Sequence, residues 1–498
     1  MTSSFWTVNF DLKRTFQIRF FGALGQTQTA CSFMPIQPMT SQVFKKIQRI
    51  VGKDNCSQDK ADRLCYAFDA TKTEALPDAV VFPAKSEEIA GILKLANVHR
   101  FAVIPRGAGS GMSGGAIPVS GGVVMVMTRF NRIIEIDTDN LIVHVEPGVV
   151  TGDLQRAVQE KGLFYPPDPS SSDFSTLGGN VAECAGGPKA IKYGVTRDYV
   201  LGLEVVLPTG EIIRPGVKTA KGVVGYDFTR LITGSEGTLG IITRLTLRLL
   251  PLPETVKTLT AFYDQMDMAA EAVSEIIRRG IIPRTIEYMD SASIRCVESY
   301  LAMGFPEDVA ALLIIEVDGS PDIARQSAAA IESLCRELGA IRVEAAATPE
   351  AAKQLWQARK SISPALYALA PDKINEDIVV PRSRIPDMVR KIQDLSHRTG
   401  LTMVSFGHAG DGNIHFNIML DKKNPAVLQK AEAAVEEIFD YTLELGGTIS
   451  GEHGIGISKA KYMAKEISPE MLALMKRIKR AFDPAGILNP GKMRLNGY

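Results

Sequence analysis

Pro105-Arg106-Gly107-Ala108-Gly109-Ser110-Gly111-Met112-Ser113-Gly114-Gly115 follows an apolar run over residues 101–105 and holds G-x-G-x-x-G at Gly109, Gly111 and Gly114. In a Rossmann fold such a loop opens a helix whose N-terminus faces a pyrophosphate. Here Gly115-Ala116-Ile117-Pro118-Val119-Ser120-Gly121-Gly122 leads directly into another apolar run, residues 123–127, so no helix is available for that role. Successive glycines can still let several backbone N–H groups converge on an anion. Taken by itself the stretch also fits a tight surface turn.

Two further stretches favour the anion-binding reading. Tyr165-Pro166-Pro167-Asp168-Pro169 leads into Ser175-Thr176-Leu177-Gly178-Gly179-Asn180-Val181-Ala182-Glu183-Cys184-Ala185-Gly186-Gly187, followed by Lys192-Tyr193-Gly194. Later stands Leu231-Ile232-Thr233-Gly234-Ser235-Glu236-Gly237-Thr238-Leu239-Gly240-Ile241-Ile242. Three Gly/Ser-rich loops, each joined to an apolar segment, fit one extended, polyphosphate-bearing cofactor better than three unrelated turns.

Around these loops strands and helices alternate quickly. Residues 78–83 read as a short buried strand. Ser86-Glu87-Glu88-Ile89 gives a capping-type start to a helix that runs to about His99, with an apolar stripe at 89, 92, 93, 95 and 96. Strands are predicted at 101–105, 123–127, 133–136 and 142–145, a helix at 152–161, and a strand-rich region at 201–250. Pro251-Leu252-Pro253 reads as a boundary. Beyond it, amphipathic helices at 263–280 and 321–338 beside strands such as 312–317 predict a second α+β domain. A last helix, 469–482, is stopped by Asp483-Pro484-Ala485-Gly486. The fold class is α+β, with an extension at 1–40, a first domain at 41–255, a second at 256–465 and a closing segment at 466–498.

Composition sets limits on partners. The chain has 498 residues with 56 Lys+Arg and 56 Asp+Glu, so it lacks the basic excess of most nucleic-acid binders. No run of 18 apolar residues occurs, which argues against a transmembrane segment. The six Cys form no C-x-x-C pair, and their spacing supports neither a metal cluster nor a disulfide framework. Between Thr2 and Met39 the only acid is Asp11, against Lys13, Arg14 and Arg19. This resembles a transit peptide in composition; the alternative is an upstream-extended start, with Met34 or Met39 beginning the folded protein.

The six His are few enough for clustering to be informative. Phe406-Gly407-His408-Ala409-Gly410-Asp411-Gly412-Asn413-Ile414-His415-Phe416-Asn417 holds two imidazoles seven residues apart, and Ser450-Gly451-Glu452-His453-Gly454 sets a carboxylate beside a third. If residues 414–419 form a strand, His415 and Asn417 share a face. Two His and one Glu suit Zn2+, Mn2+ or Fe2+ with positions left open for substrate. The alternative is two hydrogen-bonded core histidines and an exposed loop acid.

In their order, R-G-A-G-S-G-x-S-G-G, P-D-P-S, G-G-N-x-A-x-x-A-G-G, K-Y-G and G-S-E-G-T-L-G-I resemble the FAD-binding domain of vanillyl-alcohol-oxidase-type (PCMH-type) flavoproteins. Within that type the chain resembles glycolate oxidase flavin subunits and FAD-linked D-lactate dehydrogenases, over about residues 60–495. The resemblance implies a two-subdomain flavin domain, a cap domain that holds substrate, and a C-terminal return marked by Asn489-Pro490-Gly491-Lys492. It implies FAD contacts from Arg106, Gly107, Ala108, Gly109, Ser110, Gly111, Ser113, Gly114, Pro167, Asp168, Gly178, Gly179, Asn180, Ala185, Gly186, Tyr193, Gly194, Glu236, Gly240, Ile241, Ile242 and Asn489. Ser110 stands about where some members carry a flavin-linking His, so FAD is expected to be held non-covalently.

For the chemistry, the resemblance implies a divalent metal, first of all Zn2+, on His408, His415 and Glu452. It makes His453 the base, Asn417 a substrate-binding residue and Arg359 the clamp on the substrate carboxylate. The Arg359 alternative is a solvated helix-face arginine. Relatives of the 2-hydroxyglutarate type carry a Lys near Asn375, so the Asn favours a short acid, with Lys373 nearby keeping longer ones in play. The implied reaction is oxidation of a D-2-hydroxy acid, glycolate or D-lactate, to the 2-oxo acid by hydride transfer to flavin N5. Alternatives are a D-2-hydroxyglutarate-type dehydrogenase, a non-catalytic FAD electron-transfer subunit, and an alkyl-glycerone-phosphate-synthase type. The electron acceptor is expected to be an iron–sulfur subunit, an electron-transfer flavoprotein, a cytochrome or a quinone. The expected location is the cytoplasm, with membrane association through a partner as the alternative.

Overall fold

The computed structural model describes residues 35–495; the expectations for the extension fall, through residue 34, outside them. The described chain begins by ordering the helix Ser41–Val51, whose first turn is capped by Thr40 Oγ1 accepting the Val43 N–H at 3.3 Å. Phe44 and Ile47 of that helix, with Ile89 and Ile92 of the helix Ser86–His99, bury one face of a four-stranded sheet. Its strands are Cys56–Ser57, Ala79–Val81, Val123–Val126 and Val103–Arg106 in spatial order. The last two pair in parallel, and the quoted glycine-rich stretch connects them without a helix.

One local expectation is corrected. The helix does begin at Ser86, but no side chain caps it: Ser86 Oγ donates instead to Glu204 Oε1 at 2.8 Å, and Glu88 accepts the Ala84 N–H at 2.7 Å. A tertiary acid outcompetes the local cap.

The second sheet has five antiparallel strands, in the order Ile133–Asp137, Ile142–Val145, Ile241–Arg248, Val200–Val206 and Ile212–Ile213. Leu154 and Val158 of the helix Thr151–Gln159 and Leu177 and Val181 of Leu177–Glu183 pack into its core. The two glycine-rich loops after residue 170 therefore project from elements anchored in this layer.

Residues beyond 254 build a seven-stranded antiparallel sheet, in the order Arg342–Ala345, Thr255–Tyr263, Ala311–Gly319, Thr285–Asp290, Thr402–His408, Asn413–Leu420 and Asp372–Val379. The helix predicted at 263–280 spans Met266–Arg278, because Tyr263 ends a strand. Strand alternation splits the sheet into two faces. Ile286, Tyr288, Leu313, Ile315, Phe416 and Ile418 face one core with the helices Met266–Arg278, Pro321–Glu337, Ile385–Thr399 and Pro425–Glu444. The opposite face carries Met289, Leu312, Ile314, Val404 and Phe406 under the helices Ser291–Leu301 and Pro349–Ala365.

The chain closes on its first sheet. Leu488 bridges Val103 in parallel, and the fully buried Lys479 ties Asp483 at 2.6 Å and the carbonyls of Thr238 and Leu488 at 2.8 Å each. Among the described residues no helix is long and apolar enough to cross a membrane.

Candidate functional site

The alternation that puts Phe406 and Met289 on the second face of the large sheet puts His408 and Glu287 there too. In the neighbouring strands His415, Asn417, Asn375 and Asp377 join them, because the register pairs Glu287 with His408, Phe406 with His415, Asn375 with Asn417 and Asp377 with His415. One end of this face is apolar core; the other is a polar cluster roofed by Arg359 of the helix Pro349–Ala365.

His408 Nε2, His415 Nε2 and Glu452 Oε1 form a near-equilateral triangle: 3.4 Å between the imidazole nitrogens and 3.5 Å from each to the carboxylate oxygen. Three ligands about 2.0–2.1 Å from a tetrahedral ion lie about 3.4 Å apart, so these residues fit a metal of that kind. His408 is aimed by Glu287, whose Oε1 lies 2.6 Å from His408 Nδ1 and leaves Nε2 for the triangle. Burial opposes a charge on His408, yet Glu287 and Glu452 hold its pKa well above the ordinary imidazole value. Burial, His408 and His453 hold His415 well below it. Asp377, His415, Glu452 and His453 also place one potential ligand atom each within 4.8 Å of one another. Asp377 is less suited, since its Oδ2 already accepts the backbone N–H groups of Gly451, Glu452 and His453 at 2.8–2.9 Å.

Asp377 is thus the anchor of the Glu452–His453 loop, and Glu236 holds the loop's far side through the N–H groups of Ile455 and Gly456 at 2.7 Å. The His453 ring stacks on His415, 5.4 Å between centroids and 12° from parallel. Arg359 is not a solvated helix-face residue: it is 7% exposed, its guanidinium lies over the Phe406 ring at 4.8 Å, and its Nη2 pairs with Glu287 Oε2 at 2.7 Å. Its Nε has no partner. Neither Glu287 nor Asp377 belongs to the motif set. Asp377 was reachable from alternation with Asn375; for Glu287 the only sign was an acid in the middle of an apolar strand.

A cavity connects this cluster to the glycine-rich loops. Arg359, His415, Glu452 and His453 share its wall with Arg106 to Gly111, Gly178, Gly179, Asn180, Ala185, Glu236, Gly240, Ile241, Ile242 and Asn489. The loops approach too closely for side chains: a Cβ on Gly107 would meet Thr176 Oγ1 at 2.2 Å, and one on Gly178 would meet Pro147 Cβ at 2.5 Å. Asn489 Nδ2 joins two loops by donating to the carbonyls of Gly115 at 3.0 Å and Glu236 at 2.8 Å. This long, glycine-lined cradle fits an extended dinucleotide cofactor.

Ser113, Gly114, Pro167, Asp168, Gly186, Tyr193 and Gly194 are not part of that wall. Asp168 pairs with Lys189 at 2.5 Å and lines a neighbouring cavity with His408, while the Tyr193 hydroxyl donates to Asp318 at 2.7 Å. Gly186 backs Glu452, where a Cβ would lie 2.9 Å from Oε2. Asn417 is fully buried behind Asn375, whose Nδ2 donates to its Oδ1 at 2.7 Å; Asn375 itself reaches the cavity.

Comparison with known proteins matches two segments of the chain to family models. Residues 77–216 match the FAD binding domain model and residues 252–493 the model of FAD linked oxidases, C-terminal domain. Glycolate oxidase subunit GlcD of Bacillus subtilis is 47% identical over 91% of this chain and 97% of its own. A D-lactate dehydrogenase of Anaerostipes hadrus is 35% identical over 92% of this chain and 98% of its own. Among solved structures, p-cresol methylhydroxylase with substrate bound superposes with a TM-score of 0.78 at 20% identity, over 92% of this chain and 98% of that one, a likeness of fold. With the glycine cradle and both halves matched, the chain belongs to the FAD-linked oxidases of the glycolate oxidase subunit and D-lactate dehydrogenase group, and is an FAD-dependent oxidoreductase.

Proposed function

We propose that the chain oxidises a D-2-hydroxy acid, glycolate or D-lactate, to the 2-oxo acid. The observation that carries the reading is the convergence, on the wall of the FAD cavity, of the buried Arg359, the His453 imidazole, and His415 and Glu452, with His408 completing the triangle behind them. The names of the relatives point to the same chemistry.

Arg359 is placed to hold the substrate carboxylate, since Glu287 neutralises one edge of its guanidinium while Nε stays without a protein partner. His453 takes the hydroxyl proton as C2 gives up hydride, so the acid loses two electrons and two hydrogens. FAD, when bound, supplies the hydride acceptor. A divalent ion on His408, His415 and Glu452, Zn2+ foremost, would acidify the substrate hydroxyl. With Ser110 in the pyrophosphate loop, the flavin is held without a covalent link to that position. Electrons then pass to a separate acceptor, a protein or a quinone.

Anaerobic mixing with paired D- and L-2-hydroxy acids tests the reading. Flavin bleaching by D-lactate or glycolate and not by L-lactate is expected, whereas L-specific bleaching would overturn it. Chelation followed by elemental analysis is expected to remove metal and activity together. A metal-free protein with full activity would eliminate the ion while leaving the rest of the proposal standing.

A further inference from the structure

Glu183 has no part in the chemistry above, yet it faces the flavin cavity. It ends the helix Leu177–Glu183, just before Cys184 turns the chain at a φ of 56°. Space has been cleared for its carboxyl group: a Cβ on Gly115 would lie 2.7 Å from Oε1, and one on Gly454 would lie 2.3 Å from Oε2. The same Gly454 position is 3.2 Å from Glu236 Oε1, so two acids share one small space beside the His453 loop.

The two acids are not equivalent. Burial pushes the Glu236 carboxyl up too, but the two backbone N–H groups it accepts pull back toward its charged form. Glu183 Oε2 is buried and has no hydrogen-bond partner. The other charged groups facing Glu183 are Asp69, whose Oδ2 is also without a partner, and the ammonium of Lys492, which is engaged with the Ile117 carbonyl at 2.6 Å. Three carboxyl groups and one ammonium, with unpartnered buried oxygens on two of the acids, cannot all be charged cheaply. The proton falls on the acid that lacks donors. Burial, Glu236 and Asp69 accordingly push the Glu183 carboxyl well above its ordinary range, against the pull of Lys492.

We propose that Glu183 is a hydrogen-bond donor to the bound flavin, a carboxylic acid that keeps its proton and makes FAD a stronger oxidant. The isoalloxazine ring offers carbonyl oxygens and ring nitrogens as acceptors. Reduction adds electron density to that ring, so a fixed donor binds the reduced form better than the oxidised one. Glu183 releases no proton, and the balance of the oxidation, one hydride and one proton from the hydroxy acid, is unchanged.

The test uses the holoprotein reduced with dithionite, so it is independent of the substrate, His453 and metal assignments. The infrared difference spectrum between oxidised and reduced protein is expected to contain a protonated-carboxyl C=O band that moves on reduction and is absent from Glu183→Gln. Equilibrated with a redox dye, Glu183→Gln keeps a donor and no charge, and its oxidised-to-reduced flavin ratio should stay within about threefold of the parent. Glu183→Leu, which loses the donor, should move that ratio about tenfold or more toward oxidised flavin. Absence of the band, its persistence in Glu183→Gln, or an unshifted Leu variant would overturn the proposal. So would a Gln variant that moves toward reduced flavin, the sign expected if a negative charge had been removed. Should the Leu variant fail to fold, the band and the direction of the Gln shift decide the question.

Discussion

His453→Ala is expected to give a folded, yellow protein whose flavin is reduced by D-lactate or glycolate about 10²–10⁴ times more slowly than in the parent, the usual contribution of a positioned general base. Fold and flavin are expected to survive because the loop is held by its backbone. The N–H of residue 453 bonds to Asp377, and those of Ile455 and Gly456 bond to Glu236; none of these involves the imidazole. The ring's own contacts are the stack on His415 and the approach of Nε2 to Glu452 Oε1 at 3.9 Å, so alanine removes the proposed base and these two contacts. Anaerobic stopped-flow bleaching measures the effect. A variant that bleaches at the parental rate would dismiss His453 as the base, and one that loses its flavin would mean that the ring also supports the cofactor.

What could be read from the chain, and what could not, follows the range of the forces involved. The glycine loops were legible because a backbone that must approach another segment to within 2.2 Å of a would-be Cβ excludes side chains, and glycine then appears in the sequence itself. The His and Glu residues of the triangle were legible because each sits in a short, chemically unusual motif. Glu287 was not, since its partners His408 and Arg359 lie 121 and 72 positions away and meet it only through strand register and helix placement. The Ser86 cap failed for the same reason: Glu204, 118 residues distant, claims the hydroxyl that local sequence assigns to the helix. At Tyr263 the helical pattern extends into residues that a neighbouring strand, Ala311–Gly319, holds in a nine-residue antiparallel ladder. Tertiary pairing overrides local preference there.

Glu287 carries the second large prediction. Its two oxygens serve two functions at once, Oε1 meeting His408 Nδ1 at 2.6 Å and Oε2 meeting Arg359 Nη2 at 2.7 Å, on a side chain that is itself fully buried. Removing the carboxylate with Glu287→Ala leaves the guanidinium buried without its counter-charge, and a stability loss of about 3–5 kcal/mol is expected by thermal or denaturant unfolding. Glu287→Gln is the more informative change, because it preserves shape. Arg359 can only donate, so it selects the amide oxygen, and the amide NH2 is then turned toward His408 Nδ1. That donor requires Nδ1 to accept, which moves the imidazole proton to Nε2, the atom that completes the triangle with His415 and Glu452. A proton on Nε2 leaves no lone pair for an ion. Glu287→Gln should therefore remain folded and yellow while its metal affinity falls by about 10–100-fold or more, the range seen when an outer partner of a ligating histidine is lost. Titration against a metal buffer, with kcat/KM followed in parallel, measures this. Parental metal affinity in Glu287→Gln would show that the His408 tautomer is set by something other than Glu287. A fall in kcat/KM with metal fully retained would assign the role of Glu287 to Arg359 alone.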